Sequence, residues 1–231
     1  MKYDFSKLWA AQFFGFYEFK DFYEYASDKE SQICYYKRLG AIRGDLSGVS
    51  KIETPKDLIE CKMNSNRSTL RMITNQLIVF LFTRYEFLVQ NAMKCLICDD
   101  STRILKLTKV YPDYKDTIGF SLKEFVEYQS KEEYVTIIGD RLSTRILNGK
   151  PSNVLKRIRC ILEFEDIDTF SLDQLMVKRN NIVHEGQVYE IGLEELESYY
   201  EVIENLLKVM ARALKKINIP VIDKGNLLIE E

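Results

Sequence analysis

The only histidine of the chain, His184, lies five residues after Arg179 in a segment, 179–186, that reads RNNIVHEG. Histidine titrates near neutral pH, so it can serve as a general base or a general acid. Arginine can bridge two oxygens of a phosphate group and stabilise the charge that develops on it. Arg179 also falls on an apolar helical stripe, where it needs a carboxylate, carbonyls or a phosphate as partner. These residue types predict proton-transfer chemistry beside an anion.

Helical geometry limits how these side chains can meet. Asn180 and His184 are four residues apart, so they share one face of a continuous helix. Arg179 and His184 are five residues apart, which is about 140° around an ideal helix. One straight helix would therefore splay them. Two arrangements would let them converge: the segment lies at a helix start, or a second copy of the chain supplies the missing partner.

The spacing of apolar residues predicts an all-α protein, an antiparallel helical bundle with an additional N-terminal helical segment. The predicted helices are 3–25, with a candidate break near Gly15, then 65–98, 121–129, 131–147, 154–163, 171 to the middle 180s, and 193–217. Caps are expected at 64–66, at Ser121, at Ser152 or Asn153, and Pro220 should end the last helix. The alternation of apolar and polar residues that is typical of a β-strand is nearly absent, and 187–191 is at most a short extended link.

Composition divides the chain and excludes several classes of protein. Glycine, serine and proline cluster at 40–55, so we predict an aromatic-rich helical lobe with a loop over 1–63, a bundle over 64–219 and a tail over 220–231.

The net charge of −2 argues against a wholly basic nucleic-acid-binding surface. The most apolar run is too short for a membrane span. No signal peptide is recognised, so we expect a cytoplasmic protein with reduced thiols. One histidine and a single close cysteine pair, Cys95 and Cys98, predict neither a metal site nor a cofactor.

The segment 179–186 resembles the Arg-x4–6-His signature of HEPN domains, which are all-α bundles. A polar residue follows the arginine, apolar residues precede the histidine, and Gly186 follows soon after it. The order of elements is also similar: a long early helix bearing Tyr85 and Glu86, a basic helix at 154–160, the motif, and a long final helix. The resemblance covers about 70–217.

The resemblance implies metal-independent cleavage of RNA through its 2′-hydroxyl, leaving 2′,3′-cyclic phosphate ends. It assigns proton transfer to His184, stabilisation of the phosphate charge to Arg179, and orientation or hydrogen bonding to Asn180, with Glu86 and Tyr85 as supporting residues. It further implies a toxin or phage-defence effector with a cognate antitoxin or an activating partner protein. Two alternatives stay open: a non-catalytic HEPN module that binds RNA, a nucleotide or a partner, and a structural dimer built on the aromatic N-terminal helix.

One histidine cannot easily be both acid and base in the same step. The second histidine is therefore expected from a second protomer, across a two-fold homodimer interface. Lys178 or Tyr189 could take that role instead, although their pKa values are poorly matched to it. In the opposing interpretation, His184 only packs or caps a helix end and Arg179 pairs with Glu86 inside the bundle.

A basic run precedes the motif. Between residues 141 and 159 there are six basic side chains and no acidic one. Such a run predicts a phosphate-contacting surface. The candidate RNA-binding residues are Arg141, Arg145, Lys156, Arg157 and Arg159, together with Lys178 of the motif helix.

Overall fold

The computed structural model describes residues 2–45, 56–121, 126 and 130–228, and within this part it is almost entirely helical. The all-α prediction is confirmed. The helices are α1 (Phe5–Ser27), α2 (Lys29–Asp45), α3 (Lys56–Asp99), α4 (Thr102–Val110), α5 (Lys115–Ile118), α6 (Lys131–Ile146), α7 (Pro151–Ile158), α8 (Thr169–Glu185) and α9 (Leu193–Lys216). The helix predicted over 121–129 and the glycine-rich residues 46–55 fall outside what is described, apart from Ser121 and Val126. In the described part, no helix is long and apolar enough to cross a membrane.

The 44-residue helix α3 is the central element, against which α1, α6, α8 and α9 pack. The prediction that it starts at 64–66 was wrong, because it begins at Lys56. Ile59 and Leu70 are both buried and lie eleven residues apart, hence on one side of the helix. Because both are buried, the helix continues through the polar residues between them. Residue 64, the predicted domain boundary, accordingly lies inside α3.

Helix α1 packs its aromatic side chains against the same core. Phe13 and Phe16 are buried, and the Phe16 ring stacks on Tyr200 of α9 at 3.8 Å between centroids. Trp9 Nε1 donates a hydrogen bond to Glu204 Oε1 at 3.1 Å. The helix continues through Gly15 without the candidate break, since the packing on both sides of this glycine holds the backbone in place.

A two-residue parallel pairing joins the beginning and the end of the bundle. Strand β1 (Tyr3–Asp4) pairs with β2 (Val221–Ile222), with Tyr3 opposite Val221. Both strands are too short to show a period of two, and so the sequence pattern did not reveal them. Helix α4 was also not predicted, although its buried residues Ile104, Leu107 and Thr108 follow helical spacing.

Three predicted helices match the structure closely: α6 for 131–147, α8 for 171 to the middle 180s, and α9 for 193–217. The helix predicted over 154–163 begins earlier, at Pro151, and ends at Ile158. Proline is favoured at the first helical position because its fixed φ suits a helix and its missing N–H is not needed there. Ser152, expected as the cap, instead donates its backbone N–H and its hydroxyl to the Asp173 carboxylate of α8.

Candidate active site

Helix α8 carries the motif and has a defined cap at each end. The Asp168 carboxylate accepts the backbone N–H of Ser171 at 3.0 Å, and Leu172 and Leu175 are buried against the core. Gly186 ends the helix with a left-handed φ of 66°, which returns its N–H to the carbonyl of Asn181. Glycine adopts this conformation without the steric cost that a Cβ brings. His184 therefore stands in the last turn of α8.

Arg179 is held between an aromatic ring and an amide. Its guanidinium carbon lies 5.6 Å from the centroid of Phe82 on α3. Its Nη1 donates to Asn180 Oδ1 at 2.9 Å. Its Nε is buried without a hydrogen-bond partner among the described residues. The Phe82 ring and the Asn180 amide thus fix the direction of the guanidinium.

His184 meets Arg179 within one chain. The distance from Arg179 Nη1 to His184 Nε2 is 3.5 Å, and the imidazole is exposed. The expectation that one continuous helix would splay the two side chains was wrong. The arginine side chain is long enough to reach around the helix, and Asn180 Oδ1 accepts a hydrogen bond from its Nη1. Neutral histidine with its proton on Nδ1 would accept this hydrogen bond, and a bound phosphate would compete for the guanidinium.

Glu86 and Tyr85 lie on the side of α3 that faces α8, but they differ in burial. Burial raises the pKa of the Glu86 carboxyl, and the positive charge of Arg179 opposes that rise. Glu86 and Arg179 nevertheless form no ion pair in the described part of the chain. Tyr85 is 1% exposed, and burial raises the pKa of its hydroxyl well above the usual range. The structure therefore places Glu86 at the edge of the cluster and Tyr85 inside the core.

Lys178 and Tyr189, the alternative proton-transfer groups, are engaged in contacts of their own. The Lys178 ammonium pairs with Glu195 of α9 and lies 5.2 Å from the centroid of the Tyr189 ring. The Tyr189 hydroxyl accepts from Asn181 Nδ2 at 2.6 Å and donates to Gln187 Oε1 at 2.8 Å. Both groups tie α8 to the segment that follows it, and neither belongs to the Arg179–His184 cluster.

Asn75 of α3 is a site-supporting residue that the sequence analysis missed. It is 4% exposed. Its Oδ1 accepts a hydrogen bond from the backbone N–H of Tyr189 at 2.9 Å, and its Nδ2 donates one to the Tyr189 carbonyl at 2.8 Å. Arg71 Nη2 donates to the Val188 carbonyl at 2.9 Å. These bonds fix the link between α8 and α9. The available signal was a polar residue set inside the apolar stripe of α3.

The predicted RNA-binding cations are in different situations. Arg157 donates to the carbonyls of Ile146 and Asn148 at the end of α6, and Arg159 binds Asp166 at 2.7 Å with its guanidinium over Phe164. Arg141 donates to the Gly119 carbonyl at 3.1 Å and lies over the Phe120 ring. Arg145 and Lys156 are exposed. The structure thus does not gather all of these side chains into one surface with the motif.

The cysteines are not arranged as a metal site in the described residues, where no group of three or more His, Cys, Asp or Glu side chains could hold an ion. Cys95 lies in the core, and burial raises the pKa of its thiol to about 11. Cys98 is half-buried. The close pair Cys95 and Cys98 therefore contributes to packing.

A family model matches the segment that carries the site. The model is described as RiboL-PSP-HEPN and matches residues 52–216, more than two thirds of the chain. A search of curated proteins and a search of solved structures each returned no match. The matched segment extends to the last residue of α9 and includes the whole Arg179–His184 cluster, whereas α1 and α2 lie outside it.

Proposed function

We propose that this chain, which belongs to the RiboL-PSP-HEPN family, is a metal-independent endoribonuclease whose catalytic residues are Arg179, Asn180 and His184. HEPN domains are frequently ribonucleases. The observation that carries the proposal is the 3.5 Å approach of Arg179 Nη1 to exposed His184 Nε2 at the end of α8. A proton-transfer group and a phosphate-binding group thereby stand side by side.

The proposed reaction is attack of the RNA 2′-oxygen on the neighbouring phosphorus. The bond from phosphorus to O2′ forms while the bond to O5′ breaks, which gives a 2′,3′-cyclic phosphate and a 5′-hydroxyl. A base takes the proton of the 2′-hydroxyl and an acid returns a proton to the leaving 5′-oxygen. Arg179 binds the phosphate oxygens, whose negative charge grows in the transition state. Asn180 holds the guanidinium in the direction that this requires.

Two proton transfers call for a second group, and we propose a homodimer in which His184 of a second copy supplies it. The chain has one histidine, and both Lys178 and Tyr189 are engaged with other residues. A two-fold axis would place two Arg179–His184 pairs across one cleft. Exposed apolar side chains of α8 itself support such an interface: Val177, seven residues before His184 and hence on the same side of the helix, is 42% exposed, and Val183 is 46% exposed. Solvent exposure of this kind is typical of surfaces that bind another protein.

We further propose that the ribonuclease acts in the cytoplasm as a toxin or phage-defence effector, held inactive by an antitoxin or triggered by a partner protein. Induced expression of the wild-type chain should then arrest bacterial growth, and His184→Ala should not. Equal arrest by both chains would contradict a role for RNA cleavage in this effect.

The proposed activity is tested with purified protein and a mixed pool of cellular RNA in EDTA. The wild type should cleave. Arg179→Ala and His184→Ala should lose at least about a hundredfold in rate, because each removes charge stabilisation or proton transfer. Gln174→Ala, an exposed change on the same helix, serves as control. Melting curves should show all four chains folded.

Two outcomes would contradict the proposal. Equal cleavage by wild type and His184→Ala would mean that another site or another protein cleaves the RNA. RNA binding without cleavage by any chain, unaffected by His184→Ala, would instead identify a non-catalytic HEPN module that binds RNA, a nucleotide or a partner through its cations.

A further inference from the structure

The two halves of helix α8 differ in how deeply they are buried. Leu172 and Leu175, in the first half, lie in the core. The second half is described throughout, and none of its side chains is fully buried; Ile182 is partly buried against the core. Helix ends fray where few contacts hold them. The Arg179–His184 cluster lies in this second half, so its geometry depends on contacts other than deep apolar burial.

The segment that follows α8 folds back onto the helix through Tyr189. Between residues 183 and 190, all of them described, Tyr189 is the one residue that is not exposed. Its hydroxyl accepts a hydrogen bond from Asn181 Nδ2 at 2.6 Å. Its ring centroid lies 5.2 Å from the Lys178 ammonium, which pairs in turn with Glu195 of α9. Tyr189 is therefore the residue through which this segment holds the second half of α8.

Asn181 connects Tyr189 to the end of the helix. The Asn181 carbonyl accepts the N–H of Gly186, where α8 ends, and the N–H of Gln187 at 3.1 Å. The Tyr189 hydroxyl, which accepts from the Asn181 side chain, donates to Gln187 Oε1 at 2.8 Å. Asn181, Tyr189 and Gln187 thus form a ring of hydrogen bonds. His184 stands in the turn that this ring closes.

Asn75 fixes Tyr189 to α3 on the other side. Its Oδ1 accepts the Tyr189 N–H, and its Nδ2 donates to the carbonyls of Tyr189 and Arg71 at 2.8 and 2.7 Å. Both donor hydrogens of this buried amide are in use, and its loss would leave buried backbone groups unsatisfied. Phe82, on the same helix, lies against the Arg179 guanidinium. Helix α3 thus contacts the arginine directly and holds Tyr189 through Asn75.

We propose that Asn75 and Tyr189 are positioning residues of the active site. Asn75 holds Tyr189 against α3, and Tyr189 holds the end of α8 through Asn181. His184 is thereby kept beside Arg179. This inference rests on the proposed ribonuclease function and adds residues that act through others instead of contacting RNA. A displacement of about 1 Å at the reacting groups can cost about a hundredfold in rate. The Tyr189 hydroxyl should therefore affect the rate of cleavage more than the binding of RNA.

The test measures cleavage of a fluorescein-labelled RNA 20-mer in EDTA by Tyr189→Phe. This variant keeps the ring and the backbone groups that Asn75 binds, and it loses only the hydroxyl. We expect kcat to fall about tenfold, the upper range for the loss of a hydrogen bond, while KM changes by less than about twofold. Asn75→Ala should lower kcat at least as much. Thr74→Val is the matched control, because Thr74 is also buried and its hydroxyl donates within α3, to the Arg71 carbonyl at 3.0 Å.

Two further measurements report on the same contacts without RNA. Hydrogen exchange at the N–H groups of Gly186 and Gln187 should be about fivefold faster in Tyr189→Phe than in the wild type, because the ring of hydrogen bonds is broken. Because His184 is the only histidine, labelling with ¹³C-histidine gives one imidazole signal in NMR spectra. This signal should shift in Tyr189→Phe. Both measurements should give wild-type values in Thr74→Val.

The outcomes separate this inference from the proposed function. Unchanged kcat in Tyr189→Phe, with an active wild type, would overturn the inference and leave the ribonuclease intact. A lower kcat without faster exchange would mean that the hydroxyl acts on the substrate itself, and an equal loss in Thr74→Val would mean a general loss of stability; either result would overturn the positioning role. Faster exchange and a shifted histidine signal in a chain that cleaves no RNA would support the positioning of His184 and contradict the ribonuclease.

Discussion

Single side chains decide how the candidate site is put together. The sequence identified Arg179, Asn180 and His184 as a group, and helix geometry alone suggested that the first and last would point apart. They meet because an arginine side chain extends around the helix and Asn180 holds its end at 2.9 Å. This is a property of side-chain length and hydrogen bonding, which backbone periodicity does not contain.

Glu86 should make stability depend on pH. Burial raises the pKa of its carboxyl above the value in an unfolded chain. The contribution of this group to stability is therefore present at low pH and is lost as pH rises through the raised pKa. Glu86→Gln retains a neutral side chain of similar shape. We expect the variant to gain stability relative to the wild type as pH rises through this range, as measured by urea unfolding.

The control for this prediction is Glu201→Gln, which changes an exposed carboxylate on α9. A difference in unfolding free energy between Glu86→Gln and wild type that stayed constant with pH, or that favoured the wild type more as pH rose, would contradict the prediction. It would mean that Arg179 outweighs burial at this carboxyl.

The sequence predicted the interiors of the helices better than their ends. The long apolar stripes of α6, α8 and α9 were recognised because burial repeats at 3.6 residues. The predicted start of α3 was wrong because Asn64 and Ser65 resemble a helix cap, although both are exposed residues within a continuous helix. Asn75 was missed because its partner, the backbone of Tyr189, is 114 residues away in sequence. Local patterns carry no information about such pairings.

The end of α8 should be sensitive to a side chain at Gly186. Its φ of 66° is costly for alanine, by about 1 kcal/mol. Gly186→Ala should lower the melting temperature by roughly 2–4 °C for a chain of this size and should reduce RNA cleavage, because His184 stands in the adjacent turn. Gly15→Ala is the matched change inside α1, where nothing lies within 4 Å of an added Cβ.

The same substitution should have opposite effects at the two positions. In a helix interior, alanine is favoured over glycine by about 1 kcal/mol, so Gly15→Ala should raise the melting temperature. Equal shifts of the same sign in differential scanning calorimetry would show that the left-handed end of α8 does not constrain the motif.

The motif belongs to a helical bundle whose hydrophobic core includes residues outside the family match. The resemblance to HEPN domains, based on the residues around His184, is confirmed by the match over residues 52–216. Phe13 and Phe16 of α1, outside that match, are buried in the core with Tyr200 of α9. Composition could show that the N-terminal residues were rich in aromatics, but it could not show which helix they pack against. That depends on contacts between distant parts of the chain.

If two copies of the chain share one active site, mixing wild-type and inactive chains should lower the cleavage rate in a characteristic way. When wild type is unfolded and refolded together with an excess of His184→Ala, hybrid dimers with one histidine should be inactive. Cleavage should then fall with the square of the wild-type fraction, because activity requires two intact copies. Mixing with Gln174→Ala should leave the rate unchanged. A linear fall with His184→Ala would contradict a shared site.

The chemistry of the RNA ends tests the central claim most directly. RNA cleaved by the wild type in EDTA should carry 2′,3′-cyclic phosphate and 5′-hydroxyl ends, identified by mass spectrometry of a defined oligonucleotide. The same oligonucleotide should remain intact with His184→Ala. Products with 5′-phosphate and 3′-hydroxyl ends would show that water, and not the 2′-oxygen, attacks the phosphorus, and would contradict the role assigned to the Arg179–His184 cluster.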